Sequence, residues 1–173
     1  MRRIAPAALN ATLMGALMAA LAAATFACHR GATSLRIVTP AFNDGNAIPR
    51  QYTCDGENAP PPLNLSGTPA GAKSLALVLD DPDAPGGLFT HWLVWNLPPR
   101  SNGVVGTEGT NDFGKRGYGG PCPPAGSSHR YVFHLYALDA SLALAPGAKR
   151  AELDAAMRGH VLAEARFTGK YAR

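Results

Sequence analysis

The segment Asp80–Leu97, DDPDAPGGLFTHWLVWNL, constrains this chain more than any other. It follows the apolar run Ser74–Leu79 and contains a second one, His91–Leu97. Both runs are short, apolar and bounded by turn-forming residues, which predicts two buried strands. Pro82 and Pro85 lie between them. Each lacks an amide donor and stiffens the backbone, so the connection is not a tight hairpin. A loop of this kind holds Asp80, Asp81 and Asp83 at the end of a sheet, with His91 opening the next strand.

The same design recurs in GYGGPCPPAGSSHRYVFHLYALD, Gly117–Asp139. A stiff Gly/Pro loop runs into a strand with His129 at its mouth, and Tyr131 follows two residues later on the same face. Along Arg130–Asp139 both alternating sets are mostly apolar, which predicts an interior strand. Two strands headed by histidines predict one shared polar pocket. In it Asp81 orients a histidine and fixes its tautomer, and Tyr131 donates to an anionic oxygen. Gly119 and Gly120 would expose their amides to that anion, as a backbone nest does.

The remaining elements are sparser. Leu35–Phe42 reads as a strand, and Pro40 places it at an edge. Asn43–Leu65 is a long, turn-rich loop of the kind that is functional or needs pinning. Ala151–Phe167 is the one stretch that reads as a helix, with Leu153, Met157, Val161 and Ala165 at helical spacing. Gly159 interrupts it at a cost of ~1 kcal/mol, which allows two shorter helical pieces. With 19 Gly and 15 Pro in 173 residues, strands and structured loops outweigh helices. The expected fold is a single mainly-β domain of antiparallel sheets with small peripheral and C-terminal helices.

Residues 1–27 have the three parts of a secretory signal. Arg2 and Arg3 give a positive start, Leu9–Leu21 an apolar centre, and Ala22–Ala27 a small-residue exit. Residues 28–34 then form a tether and 35–173 the domain. Cys28 follows the exit, as the lipid-bearing cysteine of a bacterial lipoprotein does, but Thr25 stands where such signals usually carry Leu. Lipidation at Cys28, with a membrane tether, and ordinary cleavage near Ala24 or Ala27 both stay open. Lipidation would leave Cys54 and Cys122 as an even pair in an oxidising compartment, which predicts a disulfide between them. That bridge would pin the two long loops together. The expected location is the periplasm, free or membrane-anchored. The formal net charge of +4 includes the two arginines of the signal, and no basic run is interleaved with aromatics. Nucleic-acid binding is therefore not expected.

Plainer roles stand beside these. His134 within a strand and His160 within the helix read as structural, and His29 as part of a solvated tether. His91, His129 and Asp81 are residue types that bind Zn or Fe, but no close-spaced motif joins them, and no metal or cofactor is expected. Ser127, Ser128 and Cys122 lie near His129, yet no GxSxG elbow occurs. A hydrolase is a minor reading and enzymatic activity is not expected.

Several motifs in order carry a resemblance: IPRQYTCDGEN, Asp-Pro-Asp-Ala-Pro at 81–85, HWLVWN from His91, GYGGPCPP, His-Arg-Tyr at 129–131, and the closing GHVLAEARFTGKYAR. From about Leu35 to Arg173 the chain resembles the phosphatidylethanolamine-binding protein family, and within it the bacterial proteins called Raf-kinase-inhibitor-like. The resemblance implies two antiparallel sheets and a small anion pocket at one end. Its polar members would be Asp81, His91, His129 and Tyr131, with Pro85, Gly120, Cys122 and Pro123 as walls. The implied ligand is a phosphate-like anion or a phospholipid head group. Some eukaryotic relatives inhibit kinases or proteases, so a protein partner docking at the pocket rim is the alternative role, and a homodimer is also implied. Pro60 and Leu65 depart from the bacterial pattern of Ser and Trp, which predicts a different pocket wall in the Cys54 loop.

Overall fold

The computed structural model describes residues 34–100 and 103–173, all within one compact unit, Gly31–Arg173. The signal and lipidation readings, including Cys28, fall outside the described residues.

Two antiparallel sheets make up the fold. The small one pairs β1 (Arg36–Val38) with β2 (Asn64–Ser66). The large one contains β3 (Ser74–Asp81), β4 (Phe89–Leu97), β5 (Thr107–Glu108), β6 (Ser128–Leu138) and β7 (Val161–Ala172). Its spatial order is β5-β4-β3-β6-β7. β3 is central and buried along its whole length, which explains why its sequence is a continuous apolar run rather than an alternating one. β6 lies inside the sheet, between β3 and β7, as its two apolar faces predict.

Strand alternation sorts the core into two parts. Leu75, Leu77, Leu79, Val94, Phe133 and Leu135 pack on one face with Ile37 and Leu63 of the small-sheet region. Ala76, Val78, Leu93, Trp95 and Leu138 pack on the other face with Leu153 and Met157 of the helix α1 (Arg150–Met157). The sheet is thus covered on both faces, and its polar ends remain for chemistry.

The expected helix Ala151–Phe167 is wrong in its second half. α1 ends at Met157, Gly159 turns the chain at φ 80°, and Val161–Ala172 is strand. Helical spacing at Val161 and Ala165 was misleading, because the same segment also has strand periodicity through Ala163, Ala165, Phe167 and Gly169. Pairing decides it. β7 supplies the outer edge of β6 with a partner along its whole length, from Ser128↔Ala172 to Leu138↔Val161. His160 accordingly sits in a turn, with its Nδ1 2.7 Å from Asp139 Oδ1. Leu35–Phe42 is shorter than expected, with only Arg36–Val38 paired.

The long Asn43–Leu65 loop is held at two places. Its start straps over the outer edge of β7, where Ile48 N–H donates to Lys170 O at 2.8 Å. A Cβ on Gly169 would lie 2.4 Å from Ile48 Cγ1, so only glycine lets the strap cross there. Further on, the expected disulfide Cys54–Cys122 is formed, with Cα atoms 5.4 Å apart.

Candidate functional site

The end of β3 and the starts of β4 and β6 meet at one end of the large sheet. Because successive side chains alternate, the neighbours Asp80 and Asp81 leave β3 on opposite faces. Asp81 is buried. Its Oδ2 faces His129 Nδ1 at 2.7 Å, and its Oδ1 accepts the Asp83 amide at 2.8 Å. An ionised carboxylate only accepts, so the proton of His129 sits on Nδ1. Asp81 thus orients His129 and fixes its tautomer, as expected from sequence. The other ring nitrogen of His129 lies 3.3 Å from Ser127 Oγ.

His91 reaches the same place through an irregularity. β3 and β4 pair Leu79 with Trp92 but Asp80 with Thr90, so His91 is the extra residue of a β-bulge. Bulges re-aim side chains at such sites. The His91 ring here meets Tyr131 at 5.2 Å, Phe89 at 5.1 Å and Phe113 at 5.1 Å between centroids. Its Nδ1 lies 2.8 Å from the Gly119 carbonyl. A carbonyl only accepts, so Nδ1 carries the proton and Nε2 keeps its lone pair. Burial pushes the His91 pKa below the usual imidazole range, against the raising effect of the Gly119 carbonyl and Asp81. The neutral ring is therefore the resting form at pH 7.

Tyr131 is completely buried. Its hydroxyl has no hydrogen-bond partner among the described residues, although Asp81 and the Cys122 backbone are close enough to act on it. Burial, reinforced by the Asp81 charge, raises its pKa above that of an ordinary phenol. A buried hydroxyl without a partner costs about 1–3 kcal/mol. A ligand oxygen accepting from it would remove that cost.

The surrounding loops are pinned by side chains. Arg130 grips Asp83 with both Nε and Nη2, at 2.8 and 2.6 Å, and this holds the Asp83 pKa down at about 2. Asn111 is buried. Its amide donates to the carbonyls of His91 and Gly117 at 3.3 and 3.0 Å, and its Oδ1 accepts the amides of Phe113 and Lys115, both at 3.1 Å. It ties the glycine loop to His91. A cavity of about 340 Å³ opens beside this loop, lined among others by Asn58, Phe113, Lys115, Tyr118 and the disulfide.

The matching family model, described as phosphatidylethanolamine-binding protein, covers residues 38–172. The chain belongs to this family. A UPF0098 protein of Methanothermobacter thermautotrophicus is 50% identical over 151 residues, spanning 80% of this chain and 99% of that protein. LppC of Mycobacterium tuberculosis, whose name makes it a candidate lipoprotein, is 44% identical over 81% of this chain and 73% of its own. Among solved structures, a phosphatidylethanolamine-binding protein homologue from Chlamydia trachomatis superposes with a TM-score of 0.78 at 38% identity, over 82% of this chain and 99% of that one. YbcL of E. coli, described as a member of the mammalian PEBP family, gives 0.74 at 29%, over 81% and 99%.

In this family member Asp81, His91, His129 and Tyr131 converge as the sequence predicted, but the proposed anion nest does not exist. Gly119 N–H donates to His91 O at 2.9 Å, and Gly120 N–H to Asn58 Oδ1 at 2.7 Å. Glycine is required at 120 for a different reason: a Cβ there would lie 2.5 Å from Asn58 Oδ1 and 2.7 Å from Tyr52 O. Gly120 and Cys122 line the cavity beside the glycine loop. Leu65, in β2, packs against the core. Asn111, Phe113 and Asn58 were missed from sequence. An aromatic stranded in a glycine-rich loop was the available signal for Phe113; the two asparagines look like ordinary turn residues.

Proposed function

We propose that this chain is an exported binding protein for a phosphate-like anion, such as a phospholipid head group, held at Asp81, His91, His129 and Tyr131. The Tyr131 hydroxyl, which has no hydrogen-bond partner among the described residues, carries this reading, because a buried donor beside the His91 ring suits an oxyanion. Both histidines hold their proton on Nδ1, so in the neutral state neither offers an Nε2–H to an anion. Binding therefore brings in a proton, either on the ligand as P–OH or by uptake on His91. Affinity for phosphate then rises as pH falls from 8 to 6. Titration calorimetry with phosphate and phosphoethanolamine in two buffers of different ionisation heat tests this. Saturable binding with proton uptake, lost in His91→Ala and about tenfold weaker in Tyr131→Phe, is expected; no binding by folded wild-type protein would sink the proposal.

The Asp81–His129–Ser127 alignment gives the hydrolase reading a specific form. Against it, the Ser127 hydroxyl donates to Pro124 O at 2.7 Å, and the amides of Gly119, Gly120 and Gly126 are all committed elsewhere. That leaves them unavailable to stabilise an oxyanion. A fluorophosphonate probe labelling Ser127, with labelling lost in His129→Ala, would reverse this preference.

The likeness to LppC supports export as a lipoprotein anchored through Cys28. Mass spectrometry of the membrane fraction tests it. An acylated N-terminal Cys28 supports the anchor, and a soluble, unmodified mature chain refutes it.

A further inference from the structure

The Cys54–Cys122 bridge joins two loops that already hold each other. Cys54 N–H donates to Pro121 O at 3.1 Å, Gly120 N–H to Asn58 Oδ1 at 2.7 Å, and the Tyr118 hydroxyl to Tyr52 O at 2.6 Å. A Cβ on Gly120 would lie 2.7 Å from Tyr52 O and 3.0 Å from Thr53 Cα, so the two backbones are in direct contact. Asp55, next to Cys54 in sequence, is tied to the end of β7 by the Tyr171 hydroxyl at 2.8 Å and by Arg173 Nε at 3.1 Å. These contacts place the loops without help from the sulfurs. Both cysteines are also exposed residues, and exposed disulfides are the ones that undergo exchange.

The two sulfurs differ in their surroundings. Cys122 Sγ accepts from Arg173 Nη1 at 3.6 Å, whereas Cys54 Sγ has no hydrogen-bond partner among the described residues. Arg173 is the last residue but is held at three points. Its amide donates to Ser127 O at 3.2 Å, its carbonyl accepts from Gly126 N–H at 2.7 Å, and Asp55 takes its Nε. A guanidinium fixed beside one sulfur stabilises a thiolate at that sulfur. Thiol–disulfide exchange expels the sulfur that better carries negative charge, so an incoming thiolate attacks Cys54 and Cys122 leaves.

We propose that Cys54–Cys122 is a redox-active bridge that oxidises a dithiol, with Cys54 as the attacked sulfur and Cys122 as the leaving one. One thiolate of the dithiol bonds to Cys54 Sγ, the bond between the two Sγ atoms breaks, and Cys122 departs as a thiolate held by Arg173. The second thiol of the dithiol loses its proton to solvent and attacks its neighbour's sulfur in the mixed disulfide. Cys54 then leaves as a thiolate and takes up a proton. The dithiol gives up two electrons and becomes a disulfide, and the bridge accepts both. No step uses Asp81, His91, His129 or Tyr131, so the proposal is independent of anion binding.

Glutathione reveals the attacked sulfur, because it has no second thiol to resolve the mixed disulfide. The oxidised, folded protein is treated with it, remaining thiols are trapped with N-ethylmaleimide, and the peptides are read by mass spectrometry. Glutathione is expected on Cys54 and maleimide on Cys122. Dithiothreitol and a Cys-X-X-Cys peptide, a small and a protein-type dithiol, are then compared in rate without denaturant. Both should reduce the bridge while the near-UV circular dichroism stays that of the folded protein, and the faster one identifies the kind of dithiol. Arg173→Gln should slow reduction about tenfold, and Arg173→Lys should keep it within about threefold of wild type, because the charge at the leaving sulfur is retained. A purely structural role for Arg173 would give the opposite sign, since a loosened strand end exposes the bridge further. Glutathione on Cys122, or an unchanged or faster rate in Arg173→Gln, would overturn the proposal. So would reduction that needs denaturant or that unfolds the protein, because the bridge would then be a structural staple.

Discussion

Asp80 and Asp81 are adjacent, chemically identical and equally buried, at 2% and 3% exposure, yet their surroundings differ in kind. Asp80 faces the helix. Its Oδ1 accepts the Thr90 hydroxyl at 2.9 Å, and its Oδ2 is bound by Arg150, which also holds Asp154. His134 approaches the same oxygen at 3.7 Å. There the negative charge is met by a permanent cation, and the result is a clamp of α1 onto the sheet. Asp81 faces the other way. Its partners are the His129 ring and a loop amide, and beside them lies a tyrosine hydroxyl with no hydrogen-bond partner among the described residues. The comparison teaches that burial does not mark a site. What marks it is a polar group whose hydrogen-bonding capacity the protein itself leaves open.

Substitutions can break this comparison. Asp80→Ala should have the largest effect on stability, about 3 kcal/mol by urea denaturation, because it strands the half-buried Arg150 guanidinium and the Thr90 hydroxyl. Phosphate affinity of the folded fraction should change little. An affinity loss as large as that of Asp81→Ala would erase the distinction between clamp and site. Asp81→Ala should cost less stability, about 1–2 kcal/mol, and abolish phosphate binding, because His129 loses its tautomer. Tyr131→Phe should sharpen the contrast further. Removing an unpartnered hydroxyl leaves the unfolding midpoint within about 0.5 kcal/mol of wild type, or raises it, while phosphate affinity falls about tenfold. A marked destabilisation would mean that the hydroxyl is satisfied in the resting protein.

Two pH effects are smaller. The Asp83 pKa of about 2 lies below its ordinary 3.8, so its pairing with Arg130 stabilises fully above pH 3.8 and is lost as pH falls towards 2. Asp83→Asn should flatten the thermal-denaturation profile in that window. His91 has a folded pKa below its ordinary 6.5. The unfolded chain therefore takes up the proton first, and stability falls as pH drops below about 6.5. His91→Gln should remove this second slope. If the slope persists in the variant, His91 is not the group responsible.

Much of the site was legible in the residues. Proline-stiffened loops before His91 and His129 announced a polar cluster at a sheet end, and the i, i+2 spacing of His129 and Tyr131 placed both on one face. Asp81 as the orienting acid followed from the same pattern. Two things misled. Glycines at 119 and 120 suggested free amides, but they are glycine because other chain segments press against them. The spacing after Gly159 suggested helix, although the open edge of β6 claimed the segment as strand. Neither a close approach nor an unpaired edge exists until the chain has folded.

The sequence by itself determined the buried strands, the mainly-β class, the paired cysteines and the identity of the four convergent polar residues. These follow from periodicity, from proline and glycine chemistry and from counting, all of which are local. Only the tertiary structure decided that His91 joins the site through a bulge, that Asp80 clamps α1 to the sheet, and that the Tyr131 hydroxyl has no hydrogen-bond partner among the described residues. Each of those depends on which groups become neighbours across the sheet, and hydrogen-bond capacity is spent or spared only between neighbours.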